Sequence, residues 1–349
     1  MEHYLDNSAT TAVCPEAVEA AVLAMRDNYG NPSSTHTKGR EAKKLLDEAR
    51  GQGANAMGCK PAELVFTSCG SESDNWAIIY GAESMSRKGK HIISSQLEHD
   101  AVKKSLDELE RRGFEVTRLP GEKDGTVSPE SVVKALRDDT ILVSLMLVNN
   151  ETGAVTDIQS ISRVLKKAQS RALLHTDAVQ AFMKLPFSAK TLGADMISIS
   201  GHKIHAPKGI GALYIRSGVK LKPFITGGSQ ENGLRGGTEA TAQIAGFAKA
   251  VELRVKGLDE KLTHMAEIKA YAVKQLSAIP DLQFISDGTA PHVLSVSLVG
   301  WPSQNIVNDL SGQGICISAG SACHQGKPSH VIATLKLPKK VSGGVIRIS

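Results

Sequence analysis

The sequence predicts an α/β protein: a large domain on a mixed, mostly parallel sheet, joined to a smaller α+β domain. Three observations carry this. Strand, short polar turn and helix alternate as far as residue 255, the order that builds parallel sheets. Ile141 to Val148 is nearly all apolar, as a central parallel strand buried on both faces should be. Near the end, Val293-Leu294-Ser295-Val296-Ser297-Leu298 alternates, which fits a strand with one solvated face.

In chain order, residues 1–14 are short and polar, and Cys14-Pro15 opens a helix, since Pro is tolerated in a first turn. Tyr29-Gly30-Asn31-Pro32-Ser33-Ser34 is a loop signal. Ala42, Leu45, Leu46 and Ala49 then fall on one helical face. Leu64–Thr67 reads as a buried strand running through Ser68-Cys69-Gly70-Ser71-Glu72-Ser73-Asp74 into a helical run, Trp76–Tyr80. Ser71 and Asp74 have the spacing of a capping box. His91–Ser95 is a strand ending near Glu98-His99-Asp100-Ala101, Phe114–Thr117 a strand, and Ser128–Arg137 a helix. Ile141–Val148 ends in Asn149-Asn150-Glu151-Thr152-Gly153; a helix over 158–168 and a strand over Leu173–Asp177 follow. Met196–Ser200 is a strand, and Gly211–Arg216 another that follows closely enough to be antiparallel. Gly-rich segments at 227–230 and 234–239 precede a helix over 242–255.

From about residue 256 the character changes. A charged helix (258–276) leads to the alternating strand at 293–298, a short helix at 304–310 and a strand at 315–317. A turn at 319–323, a helix after Pro328 and a last strand, Val345–Ile348, complete the chain. The large domain is placed at 15–255, and the small one at 1–14 plus 256–349.

Composition narrows the function. The 349 residues suffice for a large core, and 41% hydrophobic with 22% charged residues is ordinary for a soluble globular protein. Net charge is only +5, and basic groups such as Arg87-Lys88-Gly89-Lys90 lack interleaved aromatics, so they read as solvated surface rather than a nucleic-acid site. The five cysteines form no C-x-x-C pair, which suits a reducing compartment better than a disulfide framework. No basic-then-apolar leader opens the chain, and no apolar run approaches the ~20 residues that span a bilayer. A cytoplasmic, membrane-free protein without a metal site is expected.

Candidate site residues fall at the carboxyl ends of strands, where such sheets bind ligands. Lys203 lies on the turn after Met196–Ser200, with Ser200 and His202 beside it. Partial desolvation there lowers a lysine's pKa and frees its amine to form a Schiff base. The turn at 68–71 feeds a helix N-terminus, a ready place for an anion. Asp177, at a strand end, would pair with a protonated pyridine nitrogen. Taken singly, each has a plainer reading: a solvated loop lysine, a capped helix, a strand-end aspartate capping the next helix.

Together the motifs resemble a known family. They are Leu5-Asp6-Asn7-Ser8-Ala9-Thr10-Thr11, Gly30-Asn31-Pro32-Ser33-Ser34, Glu72-Ser73-Asp74-Asn75, Asn149-Asn150-Glu151-Thr152-Gly153, Asp177-Ala178-Val179-Gln180, His202-Lys203, Arg235-Gly236-Gly237-Thr238-Glu239 and Gly320-Ser321-Ala322-Cys323. In this order and spacing the chain resembles the pyridoxal phosphate (PLP)-dependent cysteine desulfurases of the NifS and IscS type, in the class-V branch of the aminotransferases. The resemblance implies PLP fold-type I and roles for individual residues. Lys203 would tether the cofactor, Asp177 face the pyridine nitrogen, Gln180 the ring hydroxyl, and His99 stack on the ring as a further catalytic group. Gly70, Ser71, Ser200 and His202 would hold the phosphate, with Thr238 reaching in from the partner of a homodimer. Asn150, beside the cofactor, and Arg347 would hold the substrate carboxylate. Cys323 would be the nucleophile that takes sulfur from L-cysteine as a persulfide, leaving L-alanine, and passes it to an acceptor such as an iron–sulfur scaffold protein or a thio-cofactor pathway. Alternatives are a selenocysteine lyase, a class-V aminotransferase that would not need Cys323, and a catalytically silent PLP-binding partner protein.

The chain also departs from the family pattern. Cys69 and Met183 stand where the family usually has Gly, Ser71 where it has Thr, and Ala206 where it has Gly. Ser71 keeps the hydroxyl, and Cys69 reads as a buried small residue rather than a second reactive thiol near the cofactor. The segment from Cys323 to Pro328 is slightly shorter than in housekeeping members, and the sequence stops at Ser349, where members usually continue through another helix.

Overall fold

The apolar runs of the first two thirds of the chain pair into one sheet. The computed structural model describes residues 2–286, 288–319 and 329–349. Its strands, in chain order, are β1 (His3–Tyr4), β2 (Leu64–Thr67), β3 (His91–Ser95), β4 (Glu115–Leu119), β5 (Thr140–Ser144), β6 (Leu173–Asp177), β7 (Met196–Ser200), β8 (Gly211–Ile215), β9 (Leu282–Phe284), β10 (Leu294–Leu298), β11 (Ile315–Cys316) and β12 (Val345–Ile348). The large sheet has seven strands in the order β2-β8-β7-β6-β5-β3-β4. From β4 to β7 all neighbours are parallel; β8 runs antiparallel to both β7 and β2. Every residue of β3, β5, β6, β7 and β8 is buried. One face packs Phe66, Leu174, Ile197 and Phe247 into a common core, and the other packs Trp76, Leu106, Leu142 and Met196. A sheet covered on both faces explains why these strands read as apolar runs. The mixed, mostly parallel α/β sheet is as the sequence predicts.

The C-terminal part forms a smaller antiparallel sheet, β12-β10-β9. The Leu258–Leu276 helix has the predicted bounds; Ala272, Val273 and Leu276 pack with Leu294, Val296 and Ile346. β1 pairs with β11 in parallel, tying residues 3–4 to 315–316. The sequence gives no sign of β1, because both its residues are exposed and carry no burial pattern. No described helix is long and apolar enough to cross a membrane.

Three expectations need correction. Ser295 and Ser297, on the face of β10 expected to be solvated, are buried. Regular pairing of β5 ends at Ser144, short of Val148. On one side Leu145 and Leu147 still donate to the backbone carbonyls of His175 and Asp177 (3.2 and 2.9 Å). On the other, Met146 donates to the Glu98 carboxylate (3.1 Å) instead of to a strand. A side chain thus replaces the ladder and opens the end of the strand. The Ser71–Asp74 capping box does not form either. The helix begins two residues earlier than that box requires, at Gly70, with Cys69 as an N-cap that makes no side-chain bond. Asp74 is buried under the site, and the helix continues through a π-turn at Trp76–Tyr80 to Met85.

Met183 adopts φ of 57°. A left-handed conformation is open to Gly at little steric cost, which gives a physical reason for the family's glycine here. Buried Met183 holds it with a side chain packed in the main core.

Candidate active site

The carboxyl ends of β5, β6 and β7 meet the start of the Gly70 helix, the N-terminal segment and Arg347 of β12. Between them lies a cavity of about 310 Å³. It is lined by Gly70, Ser71, His99, Asn150, Asp177, Gln180, Ser200, His202, Lys203 and Arg347. These ten residues, predicted from six separate stretches of sequence, therefore converge on one volume. Thr238 does not line it and is exposed. Cys323 and the turn predicted around it lie outside the described residues.

Lys203 sits on the turn that closes β7. Its Nζ donates to the carbonyls of Ser8 and Ala9 (2.5 and 2.7 Å). Burial, with the Arg347 charge nearby, pushes its pKa down to about 8. About a tenth of the amine is then unprotonated at pH 7, far more than for an ordinary lysine, and this is the form that attacks carbonyl carbon and accepts protons. Asp177 faces the same cavity from the end of β6, its Oδ1 accepting from the Val179 N–H (2.9 Å). Burial raises its pKa, while the charges of His99 and Lys203 pull the other way.

The residues expected to hold a phosphate lie together around the start of the Gly70 helix. A Cβ added at Gly70 would lie 2.6 Å from Val179 Cγ2 and 3.5 Å from Ser200 Cβ, so a side chain here would have to displace Val179, just past β6. Ser200 Oγ is buried without a hydrogen-bond partner. His202 Nδ1 pairs with Thr10 Oγ1 (3.1 Å), and burial plus the Lys203 charge lower its pKa to about 4, leaving the ring neutral. His99 caps the Asp100–Arg111 helix, its Nδ1 accepting from Ala101 N (3.1 Å), with the ring on the cavity wall. Gln180 spans the floor: Nε2 donates to Ser8 O (2.9 Å) and Oε1 accepts from Lys184 (3.1 Å).

Arg347 is buried, with 3% of its surface exposed. Nη2 donates to Asp6 Oδ1 (2.7 Å) and Nη1 to Asn150 O (2.9 Å), while Nε has no partner among the described residues. Asp6 is thus the residue that orients this guanidinium. It falls within the 5–11 motif, but nothing local ties it to a residue more than three hundred positions away. Glu98 and His330 were also missed. His330 Nε2 bonds Glu98 O (2.8 Å), and its ring lines the cavity just beyond the Cys323 segment. Cys69 is not sealed in the core as expected: it is half-buried in the cavity wall.

A desolvated lysine amine facing a buried acid, at the strand ends of a parallel sheet, is the arrangement of an enzyme that works through a lysine-tethered aldehyde cofactor. The comparisons with known proteins agree with that class. Residues 3–349 match the family model "Aminotransferase class-V". A "Cysteine desulfurase IscS" from Dictyoglomus turgidum is 41% identical over 353 residues, spanning 100% of this chain and 89% of its own. A solved structure titled "NIFS-LIKE PROTEIN" superposes with a TM-score of 0.95 at 38% identity, covering 100% of this chain and 93% of that one. Another, "SspA in complex with cysteine", has a TM-score of 0.86 at 33% identity, with 99% and 98% covered. The chain belongs to the class-V aminotransferase family, in its branch of cysteine desulfurases.

Pyridoxal phosphate is the cofactor of that family. The residues present fit it. The cavity offers a buried amine to tether it, a buried carboxyl for a ring nitrogen, and an unpartnered buried hydroxyl beside a helix start with no Cβ in the way.

Proposed function

We propose that the cavity residues act in the conversion of L-cysteine to L-alanine, with the sulfur retained on Cys323. Lys203 would hold the cofactor, Asp177 its ring nitrogen and Gln180 its hydroxyl. His99 would cover the ring, and Gly70, Ser71, Ser200 and His202 would hold the phosphate. Bound there, pyridoxal phosphate supplies an electron sink for charge developing at the amino acid's Cα.

The chain's own groups supply the rest. Arg347, with Asn150 beside it, receives the substrate carboxylate and so orients the amino acid. The Lys203 amine, with its pKa near 8, moves protons at the substrate carbon. The Cys323 thiolate attacks the substrate sulfur: an S–S bond forms, the C–S bond breaks, and the carbon skeleton takes up a proton to leave as alanine.

One observation carries the sulfur step. Both described flanks of the segment holding Cys323 are anchored at the cavity. Ser318 exchanges two backbone hydrogen bonds with Arg347 (3.2 and 2.7 Å), and Ser329 Oγ donates to Glu151 Oε2. Cys323 is five residues from Ser318, a span of at most about 18 Å for extended chain, which supports a sulfur step at this volume.

The test is mass spectrometry after incubation with L-cysteine. A sulfur atom added to Cys323, with alanine released, is expected; alanine formed equally by Cys323→Ala would end the assignment. We further propose the division into 15–255 and 1–14 with 256–349, a homodimer in which exposed Thr238 completes the partner's site, a cytoplasmic location, and a sulfur-acceptor protein such as an iron–sulfur scaffold. The separate apolar clusters of the C-terminal region support the division.

A further inference from the structure

Under the cavity lie more carboxyl groups than one cofactor can use. Asp74, Glu98 and Asp177 are all buried, with 1%, 1% and 6% of their surface exposed. Asp74 and Asp177 line the cavity itself. Like charges packed together without water cannot all ionise. Their partners differ. Asp177 accepts the Val179 N–H, and His99 and Lys203 pull its pKa down. Glu98 receives the Ser95 hydroxyl (2.6 Å) and the Met146 N–H (3.1 Å).

Asp74 has least. Its Oδ1 is buried without a hydrogen-bond partner. The basic group beside it is His175, whose Nε2 lies 3.6 Å away. His175 cannot serve as a countercharge: it is fully buried, its nitrogens are bonded to the Ser144 and Ser198 hydroxyls (2.9 Å each), and burial drives its pKa down to about 3. The other titratable groups facing Asp74 are Asp177, Glu98 and Cys69, all of which oppose its ionisation; only the Ser198 hydroxyl favours it.

We propose that Asp74 is a neutral carboxylic acid in the working protein, a positioning residue whose proton leaves Asp177 as the one carboxylate presented to the ring nitrogen. This rests on Asp177 being the ring's partner. A charged Asp74 would repel the Asp177 carboxylate and raise its affinity for a proton. A neutral one lets the full negative charge sit on the group at the strand end.

The experiment is infrared difference spectroscopy of the full chain, with and without pyridoxal phosphate, comparing wild type with Asp74→Asn at neutral pH. Loss of one protonated-carboxyl C=O absorption, with carboxylate absorption intact, is expected in both forms. Loss of carboxylate absorption instead would overturn the proposal. In the cofactor-loaded protein, the titration midpoint of the visible band should stay in place in Asp74→Asn. A fall in that midpoint, which removing a real negative charge would cause, also overturns it. Should asparagine not fold, Asp74→Ser carries the same difference spectrum. The infrared result without cofactor does not depend on what Asp177 faces. If Asp177→Asn leaves the visible band's titration unmoved, the reading of Asp177 fails while the protonation of Asp74 stands or falls on its own spectrum.

Discussion

Arg347 offers the sharpest test of substrate binding, because its surroundings fix how much should be lost. The guanidinium is held from two sides, by the Asp6 carboxylate at 2.7 Å and the Asn150 carbonyl at 2.9 Å, and Nε is left without a partner among the described residues. An amino-acid carboxylate arriving in the cavity would find a positioned, desolvated cation. A hydrogen bond to a charged group contributes about 1.5–3 kcal/mol. With tenfold per ~1.4 kcal/mol, Arg347→Ala should raise KM for cysteine roughly 10- to 150-fold. Arg347→Lys keeps the charge and loses the planar fork, so it should fall between. Asp6→Asn keeps an acceptor but removes the ion pair, costing about 1 kcal/mol and so about fivefold. KM is measured from alanine released against cysteine concentration, and cofactor binding separately from the visible band. Retained colour with a raised KM is expected. An unchanged KM in Arg347→Ala would remove the guanidinium from the carboxylate site and refute the reasoning.

The remaining predictions address the cofactor site and the buried acids. Lys203→Ala should lose the visible band that borohydride fixes onto the chain; a covalent label persisting on another lysine contradicts the tether. Gly70→Ala places a Cβ 2.6 Å from Val179 Cγ2, overpacking that costs about 1–3 kcal/mol. It should lower both urea resistance and cofactor affinity, and Val179→Ala in the same chain should restore them; no rescue would show that the contact is not the cause. Glu98 has its pKa raised by burial to about 8 from 4.5, so the folded state binds the extra proton between those values and stability falls as pH rises through that window. Glu98→Gln, which keeps an acceptor for Ser95 and Met146, should flatten the fall, worth at most about 5 kcal/mol. Urea midpoints from pH 4 to 9 that run parallel in both proteins would be the contrary result.

How far the fold was legible follows from where the side chains go. β3 and β5 to β8 are buried along their whole length, so their apolar runs announce them; β1 and β9 are short and partly exposed and leave no pattern. The end of β5 was misread because Leu145, Leu147 and Val148 stay buried after the ladder stops. Composition records burial, not whether an N–H is answered by a strand or by Glu98. In the site, residues such as Lys203 and Asp177 end apolar strands and stand out as polar groups at a fixed place. Asp6 and Glu98 work through contacts 341 and 48 positions away, which no local spacing encodes. Asp74 shows the opposite failure. Its spacing from Ser71 suggested a cap, yet burial against His175 makes it part of the cavity floor.

The N-terminal segment links these readings. Residues 6–10 have no regular structure, yet they answer the site's costliest polar groups. The Ser8 and Ala9 carbonyls hold the Lys203 amine, Ser8 O also takes Gln180, Thr10 pairs with His202, and Asp6 anchors Arg347. A buried amine without acceptors would carry the full desolvation cost, several kcal/mol by the usual reckoning for unpaired buried charge. Two carbonyls offset part of that cost and keep the side chain in the cavity before any cofactor arrives. They accept from the amine in either protonation state, more strongly when it is charged. The pKa of Lys203 is then set by burial and by Arg347, opposed by Asp177 and Asp6. Arg347 and Lys203, proposed to receive the substrate and to move its protons, are therefore electrically coupled. Removing the Arg347 charge must raise the Lys203 pKa. Arg347→Ala should accordingly move the acid limb of the pH–rate profile upward, an effect that loss of carboxylate binding alone would not produce.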